Sequence, residues 1–267
     1  MSDAPFPGSS PLRHARSRFA AALLWFLSAW IVVRKLAVPL YDEDLWWHLA
    51  AGREMIRRGA VPRTDVFSST LPGTPWIDFE WLSQAAMYVL WKAGGLWALY
   101  GAKILLSLSV LGVLGWTFRR LGARGAVLVA ACWAAFFALR PRLFERTELA
   151  TLNCLAFLVF LVLAARSPGR ARKALPWALS GMMVLWVNLH AGFIYGLAAL
   201  AAFAVGARWA KEDAGFIRAL DRAFTWSLAA VFVNPYGPKI VEMFVEVAVA
   251  LRGAPALIDE WRAPAVG

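Results

Sequence analysis

Seven stretches of the chain are apolar over most or all of the length a helix needs to cross a bilayer. They fall at 19–40, 96–118, 126–139, 147–165, 174–190, 192–209 and 219–234. A hydrocarbon core of about 30 Å takes roughly 20 apolar residues, and only a helix satisfies its own backbone there without water. The third and seventh stretches are short, and the seventh carries Arg222. The fifth and sixth adjoin with no loop. One unbroken helix of their joint length would run about 54 Å, so a tight turn is expected at 188–192. The expected fold class is therefore all-α, a polytopic transmembrane helical bundle of about seven spans. Composition agrees, because 60% of the residues are hydrophobic and 17% charged, where a soluble domain carries about a quarter charged. Disorder, a collagen-like chain and a disulfide scaffold are excluded. Cys132 and Cys154 fall inside apolar stretches, where free cysteine behaves as a small hydrophobe.

The formal net charge is +11, and a basic chain attracts phosphate, so nucleic acid is one partner to consider. No zinc-ligand spacing, RNA-binding signature or basic stripe supports it, and no nucleic-acid partner is expected. With the N-terminus inside, the stretches on the cytoplasmic side hold 14 of the 28 Lys and Arg but four of the 17 acids. This asymmetry is the positive-inside pattern. Residues 1–18, rich in Pro, Ser and Arg, are expected to be a loose cytoplasmic segment, and 19–267 a single transmembrane domain whose first stretch is a retained anchor.

That orientation puts the polar clusters on the extracytoplasmic side. The longest connection, 41–95, reads as two helices lying along the interface. The first, 45–58, opens after three acids and closes on Arg57, Arg58 and Gly59; the second starts at Asp78 and stops at Gly94 and Gly95. Acids at the start, bases at the end and glycine beyond are ordinary helix punctuation.

Asp42, Glu43 and Asp44 crowd the start of that first helix. One acid would suffice as a cap, whereas three crowded carboxylates repel one another. Asp42 and Asp44 can share a divalent cation such as Mg²⁺ or Mn²⁺, or one can take the proton of an acceptor hydroxyl. These two are the candidate catalytic residues. His48 lies one turn beyond Asp44 on the same face, and Glu80 is a second carboxylate facing the same vestibule. Arg140 and Arg142 stand on the side where cations are disfavoured. A guanidinium matches phosphate bidentately; the alternative is snorkelling, or pairing with Glu145 and Glu148. Asn188 and His190 occupy the tight turn, where polar groups face a cavity or satisfy open backbone. Gly192 and Gly196 have the spacing of a close-packing device. The 234–237 segment is a turn signal first, and Glu260 is a further candidate for the same cavity. His48, Glu80, Arg140, Arg142, Asn188, His190 and Glu260 are thus the candidate substrate-binding residues. No phosphate-binding loop, HExxH, GxSxG or Cys/His metal pattern is present, so ATP-driven and protease chemistry have no support.

The ordered set DEDLWWHLAAG (42–52), VPRTDVFSST (61–70), DFEWLSQ (78–84), LRPRLF (139–144), WVNLHAGF (186–193), NPYG (234–237) and IDEW (258–261) resembles a bacterial family of multi-spanning membrane proteins grouped with the GT-C glycosyltransferases. The resemblance implies a GT-C-like helical fold in the bacterial inner membrane. It also implies transfer of a sugar from a polyprenyl-phosphate donor to an acceptor on the outer face. Asp42 and Asp44 match the family's acidic motif, which activates the acceptor or holds a metal. Members are generally longer, so this chain is expected to be a fragment or a reduced form, with a partner membrane subunit conceivable. The rival reading is a non-catalytic membrane subunit or scaffold that binds lipid or partner helices through the same vestibule. A transporter would show paired broken helices in two matching halves, and none is seen.

Overall fold

The computed structural model describes residues 11–37, 42–70 and 72–245. All its regular elements are helices, apart from one isolated bridge between Thr64 and Pro75. The chain divides into two compact units, Met1–Tyr41 and Asp42–Gly267. The first holds α1 (Pro11–Leu36), which ends on Arg34 and Lys35. Its helix begins inside the stretch expected to be loose. Proline is well suited to open it, because the N–H that proline lacks has no partner in the first turn.

The second unit contains α2 (Asp44–Arg58), α3 (Trp81–Arg120), α4 (Gly125–Leu139), α5 (Glu148–Ala165), α6 (Arg170–Leu189), α7 (Phe193–Trp209) and α8 (Ala214–Ala230). Each apolar stretch after the first coincides with one of these helices. Three segments, α3, Gly125–Arg142 and α5, are long and apolar enough to cross a membrane, which marks a membrane protein. The crossing that begins at 96 and the interfacial helix that begins near 78 are two parts of α3, broken at Gly94 and Gly95. Gly95 sits at φ 58°, ψ −147°, a region closed to residues with a Cβ. α2 stops where Gly59 adopts φ 66° and donates its N–H to Met55 O at 2.8 Å. Arg57 and Arg58 both pair with Glu54.

The core lies among α5, α6, α7 and α8, around the fully buried Leu158, Leu179, Met183, Trp186, Leu200 and Leu220. The expected turn between α6 and α7 spans 190–192. Two glycines allow close approach, Gly192 in the turn and Gly196 in the first part of α7: a Cβ on Gly192 would strike Thr151, and one on Gly196 would strike the Trp186 ring. Gly196→Leu is expected to cost about 1–3 kcal/mol through overpacking, read as a lower thermal midpoint in detergent. Gly206→Leu, where a Cβ meets open space, is the control.

Two opposite ends of the bundle differ in charge. At one, the α5–α6 and α7–α8 turns are tied by Arg172–Asp213 at 2.7 Å and by Arg166–Glu212, with Asp213 also capping α8. The α3–α4 turn lies at the same end, because the Trp116 ring packs, tilted, with its centroid 4.5 Å from that of Phe160 in the later part of α5. The other end holds the starts of α2, α3 and α5 and the α6–α7 turn. A loop over 59–80 covers part of it. That loop is pinned by Tyr236, whose hydroxyl donates to Pro62 O at 3.1 Å and accepts the Asp78 N–H at 3.0 Å. The 234–237 segment does turn, with Asn234 Oδ1 accepting the Tyr236 N–H at 2.8 Å and Gly237 at φ 56°.

Candidate functional site

Glu80 is the centre of the polar end. It precedes α3 as its N-cap residue, and Thr147, the N-cap residue of α5, donates its hydroxyl to Glu80 Oε1 at 2.8 Å. His190, which ends α6, places Nε2 at 3.4 Å from the same oxygen, and His48 Nδ1 lies 3.8 Å from Oε2. The Glu80 side chain is 16% exposed. Burial, with smaller contributions from the Asp78 and Asp44 charges, pushes its carboxyl up to about 7 against the Thr147 hydrogen bond. Burial likewise lowers the His48 imidazole, opposed by the nearby Asp44 and Asp42.

The His190 tautomer follows from its other neighbours. Gly192 N–H donates to Nδ1 at 2.9 Å, so Nδ1 is an acceptor and the ring proton sits on Nε2, on the Glu80 side. Thr151 Oγ1, 2.9 Å from Nδ1, in turn accepts the Trp186 indole N–H at 2.9 Å. A neutral imidazole is thereby fixed in direction as well as in protonation. Asp78 braces the hub from behind. Its Oδ1 accepts Glu80 N–H and Gln84 Nε2, each at 3.1 Å, and burial pushes its carboxyl up to about 6.

The acidic motif lies beside this hub. Asp42 Oδ1 accepts the Asp44 N–H at 3.0 Å, and Oδ2 pairs with Arg146 Nε. Asp44 is the exposed member, 62% open at its side chain, and stands 3.9 Å from the same guanidinium. The Asp42 N–H donates to Glu145 Oε1 at 3.2 Å, while Glu145 Oε2 receives Lys103 Nζ at 2.9 Å, both of these side chains being almost wholly buried. Among the described residues the shared cation expected at Asp42 and Asp44 has no third His, Cys, Asp or Glu ligand, and Arg146 already neutralises Asp42. No step is therefore assigned to a metal.

Between α3, α5 and α6 lies a cavity of about 730 Å³, within the range of small-molecule sites. Its walls are largely apolar, with Leu90, Leu99, Leu106, Phe157, Leu161 and Leu185 among them. Lys103, Glu145, Arg146 and Thr147 also line it. Arg146 reaches Asp42 and Thr147 reaches Glu80, so both carboxylates lie one side chain behind the cavity wall.

Comparisons with protein-family models, curated proteins and solved structures found no match. The site must speak for itself. Of the residues expected from sequence, Asp42, Asp44, His48, Glu80, Asn188 and His190 come to one region. Asn188 serves there as a brace, accepting Trp81 Nε1–H at 2.8 Å and donating to Val184 O at 2.7 Å and Val233 O at 2.9 Å. Arg140 and Arg142 lie in an exposed 3₁₀ turn, and Arg142 is 3.3 Å from Glu148, the alternative pairing. Neither lines the cavity. Glu260 lies outside the described residues. Sequence reading passed over Arg146, Thr147, Thr151 and Lys103. Lys103 carried a signal, a lone charge within an apolar stretch; the other three carried none that separates them from their neighbours.

Proposed function

We propose that the chain is a membrane-embedded glycosyltransferase module that moves a sugar from a polyprenyl phosphate to an acceptor hydroxyl. What supports this reading is the apolar cavity lined by Arg146 and by Thr147, whose hydroxyl is hydrogen-bonded to the Glu80 carboxyl just beyond the cavity wall, because a lipid-linked phosphate needs apolar and charged environments side by side. The starts of α2, α3 and α5 add partial positive charge there, which favours a phosphate. The seven apolar segments cross a bacterial inner membrane with the N-terminus cytoplasmic, which puts the site on the extracytoplasmic face.

In this reading the acceptor oxygen attacks the anomeric carbon, the bond from that carbon to the phosphate oxygen breaks, and the phosphate leaves with the electron pair. Arg146 faces the leaving phosphate, a role that Arg140 and Arg142, both outside the cavity, are not positioned to fill. The acceptor's proton goes to a carboxylate. Asp42 is committed to Arg146, which favours Glu80, tuned near neutral pH as an efficient base requires, with His190 holding it in place. Asp44, at the exposed mouth, meets the acceptor.

The test is turnover of polyprenyl-phosphate sugars by the purified chain. Asp42→Asn is expected to lose about 10²-fold by removing the carboxylate that holds Arg146 Nε, and Asp44→Asn about tenfold. Lipid binding with no turnover in any donor series would replace this reading with the non-catalytic lipid-binding subunit.

A further inference from the structure

The end of the bundle opposite the candidate site carries a second feature. Two of its three turns carry ion pairs: Arg172 with Asp213, Arg166 with Glu212, and Arg208 with Asp221 at 2.6 Å. The α3–α4 turn does not. Residues 116–125 contain Arg119, Arg120 and Arg124 and no acid, and among the described residues none of the three pairs with a carboxylate. Together with Trp116 they line an open concavity.

Arg120 is the member that lies against aromatic rings. Its guanidinium lies 5.7 Å over the Trp116 ring and 5.6 Å over the Phe160 ring. A cation–π contact of this kind consumes none of the guanidinium's N–H donors in hydrogen bonds to acids, and leaves them for phosphate oxygens. A side chain already held in place also loses less entropy when a ligand arrives. The surroundings are those of a membrane surface: Trp116, Leu121 and Val127 are exposed at 53%, 63% and 67%, at the ends of two helices apolar enough to cross a bilayer.

We propose that the α3–α4 turn binds the headgroup of an anionic phospholipid carrying two phosphates. Arg119, Arg120 and Arg124 take the phosphate oxygens, and Trp116 lies along the glycerol and first methylenes. Three uncompensated guanidiniums favour two phosphates over one, and the flanking exposed apolar side chains favour a lipid over a soluble anion. A basic turn that served only to orient the chain would attract anionic lipid through its charge count alone, and would not distinguish arginine from lysine at position 120.

The full chain, purified in detergent, is examined by native mass spectrometry and thermal unfolding with cardiolipin, phosphatidylcholine or sodium pyrophosphate. Cardiolipin is expected to bind at least about tenfold more tightly than phosphatidylcholine and to raise the unfolding midpoint. Arg119→Gln/Arg120→Gln/Arg124→Gln removes that preference, while Arg140→Gln/Arg142→Gln at the other end keeps it. Arg120→Lys preserves the charge count but not the stacked fork, and is expected to weaken cardiolipin about threefold or more. Equal retention of the two lipids, or an unchanged preference in Arg120→Lys, overturns the proposal. Stabilisation by pyrophosphate equal to that by cardiolipin overturns the lipid assignment in favour of a soluble phosphate.

Discussion

Lys103→Met is expected to destabilise the second unit by about 3–5 kcal/mol. Lys103 Nζ and Glu145 Oε2 are 2.9 Å apart, with side chains 1% and 3% exposed. Removing the ammonium leaves the carboxylate buried without the cation that balances it, and the cost of that charge exceeds any gain from the apolar methionine. The double variant Lys103→Met/Glu145→Gln is expected to recover most of the loss. The glutamine oxygen can still accept the Asp42 N–H that Glu145 Oε1 holds at 3.2 Å, and no unbalanced charge remains. Thermal or denaturant unfolding of the four proteins in one detergent gives the coupling directly. Additive losses in the two single variants would show that the pair is not coupled. The pair also positions the site, because Glu145 anchors the backbone of Asp42, whose carboxylate in turn holds Arg146.

The helices were legible before the site was. Apolar stretches must become helices in a membrane, and Gly59, Gly94 and Gly95 end or break them for reasons local to each glycine. Whether a helix crosses the bilayer is a different question. α6 carries Arg170, Arg172, Lys173 and Pro176, and α7 is shorter than a full span, so length and composition alone do not mark these two as crossings. The candidate site was half legible. Asp42, Asp44, Glu80 and His190 stand near helix ends that any orderly bundle brings to one side. Which arginine meets them could not be read from spacing. Arg140, Arg142 and Arg146 fall within seven residues, and the short 3₁₀ turn at Arg140–Arg142 leaves the first two exposed while Arg146 reaches Asp42. Register of that kind is set by tertiary packing. The same holds for Thr147 and Thr151, ordinary hydroxyls until α5 delivers them to Glu80 and His190.

Glu80→Gln should remove a pH dependence of stability as well as turnover. The folded carboxyl is raised from its usual 4.5 to about 7, chiefly by burial. A carboxyl raised on folding favours the protonated form, so its contribution is complete below about pH 4.5 and is lost as pH rises through about 7. Stability of the native chain relative to Glu80→Gln is therefore expected to fall between these values, by at most about 3 kcal/mol. The comparison with the variant matters because the lowered His48 acts in the opposite sense, losing stability as pH drops below its ordinary 6.5; His48 is present in both proteins but stands 3.8 Å from Glu80, so the difference reports Glu80 together with its coupling to His48. Thermal midpoints at pH 5, 6, 7 and 8 measure the difference. A difference that stays flat across this range would remove Glu80 as the group titrating near neutrality. Turnover carries the functional half of the expectation: Glu80→Gln retains the Thr147 hydrogen bond but has no proton-accepting carboxylate, and a loss of about 10²–10⁴-fold is expected. Glu80→Asp keeps the carboxylate but withdraws it from His190 and Thr147, and should recover part of that rate with a lower apparent pKa. Loss in both variants without a change in pH profile would instead assign Glu80 to holding the α3 and α5 ends together, leaving Asp44 as the proton acceptor.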